Sequence, residues 1–303
     1  MKPSLKIQLG TLALPNPVLV ASGTFGYARE MCSLVDLSRL GGIIPKTITI
    51  DPRAGNRTPR TVETTAGILN AIGLDNDGLD NFITNKMPYL RSLGAPIIVS
   101  IAAKKIEECQ IFGEALSPVP GIDALELNVS CPNVSGGVDY GTDPHLCEKM
   151  VKLLRKYTTL PFAVKLTPNV AKIADIAAAA EEGGANMISA VNTCLGLAVD
   201  WRRRRSRLGN GFGGLSGPAI KPIAIRAVQQ IWSRVQIPVI GIGGIASAED
   251  VMEFMVAGAS AVQVGTANFF EPDCTMKILD QLPILMNEQK ISNLQDIVGT
   301  LEM

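Results

Sequence analysis

Eight short apolar runs, each followed by a helix-like segment, predict an α/β chain closed into a (β/α)8 TIM barrel. The runs are mostly continuous rather than alternating, as parallel strands covered on both faces should be. The three longest loops all follow strands, which would gather them at one end of a barrel. Composition agrees: 47% hydrophobic against 18% charged residues suits a large buried core and excludes a disordered chain.

Residues 4–14, SLKIQLGTLAL, read as a small hairpin ahead of the first strand, placed to plug the barrel floor. The strands follow at 17–21, 42–45, 96–99, 123–127, 162–164, 187–190, 239–242 and 261–264. Among the helices, Ala248–Val256 sets Val251, Phe254 and Met255 on one face, with Ser247 as its N-cap and Gly258 as its stop. The long loops cover 47–77, 129–142 and 192–216, and loops of that length in a compact domain are usually functional. No linker or low-complexity tract divides the 303 residues, so 1–303 reads as a single domain although the length would allow two.

Lys plus Arg equals Asp plus Glu at 28 each, which gives no overall electrostatic case for a nucleic-acid or membrane partner. The first twenty residues lack an apolar signal core, and no later stretch is long enough to span a bilayer, so a soluble cytoplasmic protein is expected. Six cysteines, at 32, 109, 131, 147, 194 and 274, include no close pair. That spacing predicts neither a metal nor an iron-sulfur site, and most of them read as small buried hydrophobes. His145, the single histidine, falls at a helix start and reads as a surface residue.

The residues at the strand ends form a polar, glycine-rich ring: Ser22, Lys46, Ser100, Asn128, Lys165, Asn192, Gly243-Gly244 and Gly265-Thr266. Singly, each is an ordinary turn or cap residue. GIGGI (241–245) and VGTAN (264–268) place glycines between a strand and a helix, where backbone amides can hold a phosphate, so a phosphate-bearing cofactor is expected. Lys46 and Lys165 close otherwise apolar strands, where an unpaired ammonium is costly, so each should face an anion or an electron-rich acceptor. LELNVSCPNVSGG (125–137) displays Cys131 in a polar loop just past a strand, a position suited to chemistry.

ASGTFG (21–26), NAIGL (70–74), LNVSCPNVSGG (127–137), VKLTPNV (164–170), Asn192-Thr193, GGLSGPAIKP (213–222) and GIGGI together resemble the class 1 dihydroorotate dehydrogenases. NAIGL and GGLSGPAIKP are most similar to class 1B, and the likeness runs from about residue 5 to about residue 285. The resemblance implies an FMN-containing barrel that oxidises dihydroorotate to orotate in pyrimidine synthesis. Cys131 would take a proton from C5 while flavin N5 takes a hydride from C6. It also implies a homodimer formed through loops near the mouth. A partner subunit carrying FAD and a two-iron two-sulfur cluster would complete a heterotetramer, with NAD as final acceptor.

By the same resemblance, Asn70, Asn128, Asn192 and Thr193 would hydrogen-bond the pyrimidine ring, with Ala71, Ile72, Gly73 and Leu74 completing the substrate side. Lys46 would serve substrate and flavin together. Ser22, Thr47, Ser100, Asn128, Lys165, Val191, Gly217, Gly243, Gly244, Gly265 and Thr266 would hold FMN, and the 129–142 loop would close over the substrate.

Two features depart from the family pattern. Ser100 stands where an asparagine is usual, and Trp201 to Arg205 form a basic run in a loop that is normally more neutral. The arginines admit three readings: a solvated loop, a docking patch for an acidic partner, or a nucleic-acid contact. A dihydropyrimidine dehydrogenase-like enzyme, an RNA-binding or RNA-modifying flavoprotein and a flavin-binding protein without turnover are the alternatives to the leading function.

Overall fold

The computed structural model describes residues 3–130 and 140–303. The eight barrel strands are Val18–Val20, Gly42–Ile43, Ile98–Ile101, Ala124–Asn128, Phe162–Leu166, Met187–Ala190, Val239–Ile242 and Ala259–Val264. They pair in parallel, the eighth strand lying beside the first. The second and third strands meet through the parallel bridges Ile43↔Ile97 and Ile48↔Ile101, so the sheet closes and leaves no free edge.

Several strands run further than the apolar pattern suggested. The third extends to Ile101, the fourth to Asn128 and the fifth to Leu166. Ser100, Asn128 and Lys165 are therefore members of strands rather than the first residues beyond them. The ladder continues because these polar side chains find partners inside the barrel, so burying them does not break the pairing.

Side-chain alternation builds the interior in layers. The lowest is an apolar cluster with one residue from each barrel strand or its immediate continuation: Leu19, Ile44, Ile98, Ala124, Ala163, Met187, Ile240 and Ala261. Ile7, Leu9, Leu12 and Leu14 of the hairpin Ile7–Leu9 and Leu12–Leu14 pack into the same cluster. The hairpin alternates buried and exposed residues along both strands, so one face seals the floor and the other meets water.

The outer helices follow ordinary rules. Pro144–Tyr157 begins with Asp143, whose carboxylate accepts from the Leu146 amide at 3.0 Å, and ends with Arg155 and Lys156 at its negative pole. Helix Ala248–Val256 spans the expected residues, with Ser247 and Asp250 forming a capping box. Gly258, at φ +119°, ends that turn. His145 is exposed in the first turn of its helix.

The 47–77 and 192–216 segments, expected as loops, carry strands. Cys194–Gly196, Gly213–Ser216, Gly67–Asn70 and Thr61–Thr64 form a four-stranded antiparallel sheet in that order. Val199–Asp200 and Arg205–Ser206 form a separate small hairpin. These strands are too short and too glycine-rich for their alternation to stand out; they form because two distant loops pair with each other. Among the described residues, no helix is long and apolar enough to cross a membrane.

If the hairpin seals the floor, Leu9→Ala leaves a cavity beneath the barrel and costs about 2–5 kcal/mol of stability, read as a lowered urea midpoint at unchanged slope. A loss under about 0.5 kcal/mol, the level of a surface substitution, would show that the plug is not part of the core.

Candidate active site

Above the apolar floor the interior turns polar. Glu126 on the fourth strand is 0% exposed and Lys165 on the fifth is 6% exposed. The Lys165 ammonium lies 3.4 Å from Glu126 Oε1 and 3.5 Å from Gln263 Oε1. Gln263 Nε2 donates to Glu126 Oε2 at 2.6 Å, and Ser189 Oγ donates to the same oxygen at 3.0 Å. Four strands thus share one buried network.

Nearer the mouth, Thr47 links two hydroxyls, with Ser22 Oγ at 2.8 Å and Ser100 Oγ at 2.9 Å from its Oγ1. Ser100, the departure from the family pattern, therefore has a hydrogen-bonding role in a chain of hydroxyls at the ends of the first three strands. Lys46 precedes Thr47, and its amide donates to Gly26 O at 3.0 Å. No acidic side chain among the described residues pairs with its ammonium. Burial holds the Lys46 pKa below the ordinary lysine value; Asp75 opposes that shift and Lys165 adds to it.

The predicted substrate residues are contiguous. Asn192 Nδ2 donates to Asn128 Oδ1 at 3.4 Å, and Asn192 Oδ1 accepts from the Thr193 amide at 2.8 Å. Asn128 Oδ1 also takes the Ser130 amide at 3.1 Å. Asn70 reaches this wall through the antiparallel sheet, pairing with Thr61 on one side and Gly214 on the other, and donating to Gly214 O at 3.2 Å. A Cβ on Gly214 would lie 1.9 Å from Thr193 Oγ1, so only glycine lets the sheet approach Thr193 this closely.

Ala71, Ile72, Gly73 and Leu74 continue from Asn70, all partly buried. Their backbone is held from outside: Ala71 N donates to Arg60 O at 2.8 Å, Asn56 N donates to Ile72 O at 2.9 Å, and Asn76 Nδ2 donates to Leu74 O at 2.7 Å. Arg60 also grips Asp75 at 2.8 Å and Ala54 O at 2.7 Å. Cys131 lies outside the described residues, as do positions 132–139 of its loop.

Gly217, Gly244 and Thr266, from three separate segments, line one cavity of about 280 Å³. Gly217 has φ +99° and Gly244 φ +77°, and a Cβ on Gly217 would sit 2.7 Å from the Gly67 Cα. Gly217 and Gly244 meet backbone to backbone beside the hydroxyl of Thr266, which donates to Ser216 Oγ at 2.8 Å, and Phe270 and Glu271 line the cavity's other side. That donor set fits a phosphate. Gly243 packs against helix Lys221–Trp232, which precedes its strand, with its Cβ position 2.8 Å from Ala224 Cβ. Gly265 offers backbone alone, and Val191 is buried with its amide on Ile242 O at 2.8 Å.

Residues 4–286 match the family model described as dihydroorotate dehydrogenase. The chain belongs to the dihydroorotate dehydrogenase family. Among relatives, it is 47% identical over 301 residues to the dihydroorotate dehydrogenase B (NAD(+)) catalytic subunit of Geotalea uraniireducens, covering 99% of both chains. It is 48% identical over 296 residues to the protein of the same name in Halalkalibacterium halodurans, covering 97% of each. The similarity thus spans this dehydrogenase-family chain from the plugging hairpin to the last helices.

Reading the sequence missed Glu126, Ser189, Gln263, Arg60 and Asn169. The first three carried a signal: each is polar and alternates with apolar residues in a buried strand. Asn169 donates to Thr193 O at 3.0 Å and accepts from the Leu195 amide at 2.9 Å, which ties the Thr193–Leu195 segment to the turn after the fifth strand. The other cysteines fit the bland expectation in the main. Cys109, Cys147 and Cys274 are buried, and burial pushes the first two thiols up to about 12 and the third to about 11, which makes them poor proton acceptors at neutral pH.

The lowered pKa of Lys46 has a sign for stability. The native state carries a partly buried charge at low pH, and this cost disappears as pH rises through the folded pKa toward the unfolded value. Lys46→Met is therefore expected to raise the melting temperature of the cofactor-free protein at neutral pH and to lessen its gain in stability at alkaline pH. An unchanged or lower melting temperature would contradict the unpaired ammonium.

Proposed function

We propose that this chain oxidises dihydroorotate to orotate in pyrimidine synthesis, as a flavin-dependent, NAD-linked dehydrogenase. The carrying observation is the contiguous wall of Asn70, Asn128, Asn192 and Thr193 at the barrel mouth. Their amide and hydroxyl groups supply the alternating donors and acceptors that a dihydropyrimidine ring requires. Relatives named for this activity, similar over the whole chain, support the reading.

FMN would occupy the adjoining cavity and the interior polar face, and when bound it supplies the acceptor for a hydride from C6 of the substrate. Gly217, Gly243, Gly244, Gly265 and Thr266 would hold its phosphate. Ser22, Thr47, Ser100, Val191 and Lys165 would line its ring system, with Lys46 shared between cofactor and substrate. Lys46 would offer positive charge to the substrate carboxylate, and Lys165 would stand beside the electron-accepting ring. The asparagines would hold the ring in a single orientation through its N–H and C=O groups.

Cys131 would take the C5 proton as a thiolate, its loop excluding water during the transfer. An ordinary thiol is mostly protonated at neutral pH, so the loop must favour the thiolate or the rate must climb toward alkaline pH. The single FMN-binding barrel of residues 1–303 would act as a homodimer in the cytoplasm. It would pass electrons to a subunit bearing FAD and a two-iron two-sulfur cluster, completing a heterotetramer with NAD as final acceptor.

Cys131→Ala tests the assignment together with a substrate comparison. The variant should keep its flavin and lose about 10²–10⁴-fold in kcat on dihydroorotate. The wild type should prefer dihydroorotate to dihydrouracil, which lacks the carboxylate. Full activity in Cys131→Ala would remove the cysteine from the reaction, and a preference for dihydrouracil would move the chain to the dihydropyrimidine dehydrogenase class.

A further inference from the structure

The site as described leaves one buried ionisable group without a task. Glu126 is fully buried, points into the barrel among four strands, and directs its carboxylate at Lys165. Burying a carboxylate costs several kcal/mol unless it is paired and hydrogen-bonded. Here every partner is supplied: Lys165 Nζ at 3.4 Å on one oxygen, Ser189 Oγ and Gln263 Nε2 at 3.0 and 2.6 Å on the other. Gln263 contacts both members of the pair, its amide nitrogen on Glu126 and its amide oxygen 3.5 Å from Lys165.

An apolar residue in this layer would fill the barrel at lower cost, as the floor below shows with Leu19, Ile44, Ile98 and their neighbours. The carboxylate therefore has a consequence for the lysine. We infer that Glu126 is a positioning residue for the flavin site, which fixes the Lys165 ammonium and offsets its charge. The lysine then presents a local dipole to the isoalloxazine ring rather than an uncompensated cation, and this lowers the reduction potential of the bound FMN. The inference rests on the FMN reading above and deepens it.

The sign follows from charge alone. A fixed negative charge near a ring that gains electrons on reduction disfavours the reduced form, and in a low-dielectric interior that effect is weakly screened. Removing the carboxylate while keeping the shape leaves Lys165 uncompensated and should favour the reduced flavin. The other cation facing this layer, Lys46, adds to the positive field and does not replace Glu126.

The test is the two-electron midpoint potential of the FMN-loaded protein at neutral pH, measured by equilibration with a reference dye. Glu126→Gln should shift the potential in the positive direction. Glu126→Asp, which keeps the charge but withdraws it, should give a smaller shift of the same sign and serves if the glutamine variant does not fold. In a Lys165→Met background, where no cation offsets the carboxylate, the Glu126→Gln shift should keep its sign and be at least as large. Potentials of both Glu126 variants that overlay the wild type, with only melting temperature or FMN retention reduced, would show a purely structural role and overturn the inference. Dye equilibration needs no dihydroorotate, so a wild type that holds FMN but does not oxidise dihydroorotate would sink the substrate assignment alone. A wild type that binds no FMN would sink both.

Discussion

The closed parallel barrel forces every second side chain of eight strands into one interior. Everything else depends on how that interior is divided. Its lower layer is apolar and is finished by four residues of a hairpin that precedes the barrel in sequence. Its upper layer holds Glu126, Lys165, Ser189 and Gln263, which are tolerated because they satisfy one another. A barrel without the plug would open its apolar floor to water, and a polar layer without mutual pairing would unravel the strands that carry it. The site therefore sits on a sealed base with its charges already arranged.

The mouth is assembled by a second constraint. Two segments more than a hundred residues apart, ending at Asn70 and Ser216, pair as antiparallel strands and carry Asn70 toward Thr193. Glycines at the crossing points allow backbones to meet where any Cβ would collide, as at Gly214 and Gly217. Arg60 and Asn56 then grip the Ala71–Leu74 backbone from outside. The asparagines, Thr193 and the glycines thus stand on sheet and strand ends.

Much of this was legible in the sequence. The eight runs, the floor hairpin and helix Ala248–Val256 were readable because apolar period and cap residues are local signals. The strand ends were read short because Ser100 and Lys165 look like stops when their partners are out of sight. The antiparallel sheet was invisible for the same reason: Thr61–Thr64 and Gly213–Ser216 gain their strand character only from each other. Glu126 was overlooked inside LELN, although a carboxylate flanked by buried leucines always demands an explanation. The roles of Cys131 and the asparagines came through resemblance, since no spacing rule singles out a lone cysteine. The Trp201 to Arg205 run is exposed at every position, Trp201 at 71% with Arg202 stacked 4.5 Å over its ring, which agrees with a solvated turn.

The central claim is that this barrel mouth binds a flavin and presents dihydroorotate to it. The most direct measurement is the visible spectrum of the purified, FMN-loaded chain on anaerobic addition of dihydroorotate. Bleaching of the flavin band, with orotate formed in equal amount, is the predicted result. A flavin band that dihydroorotate leaves unchanged, but that dithionite bleaches, would contradict the account.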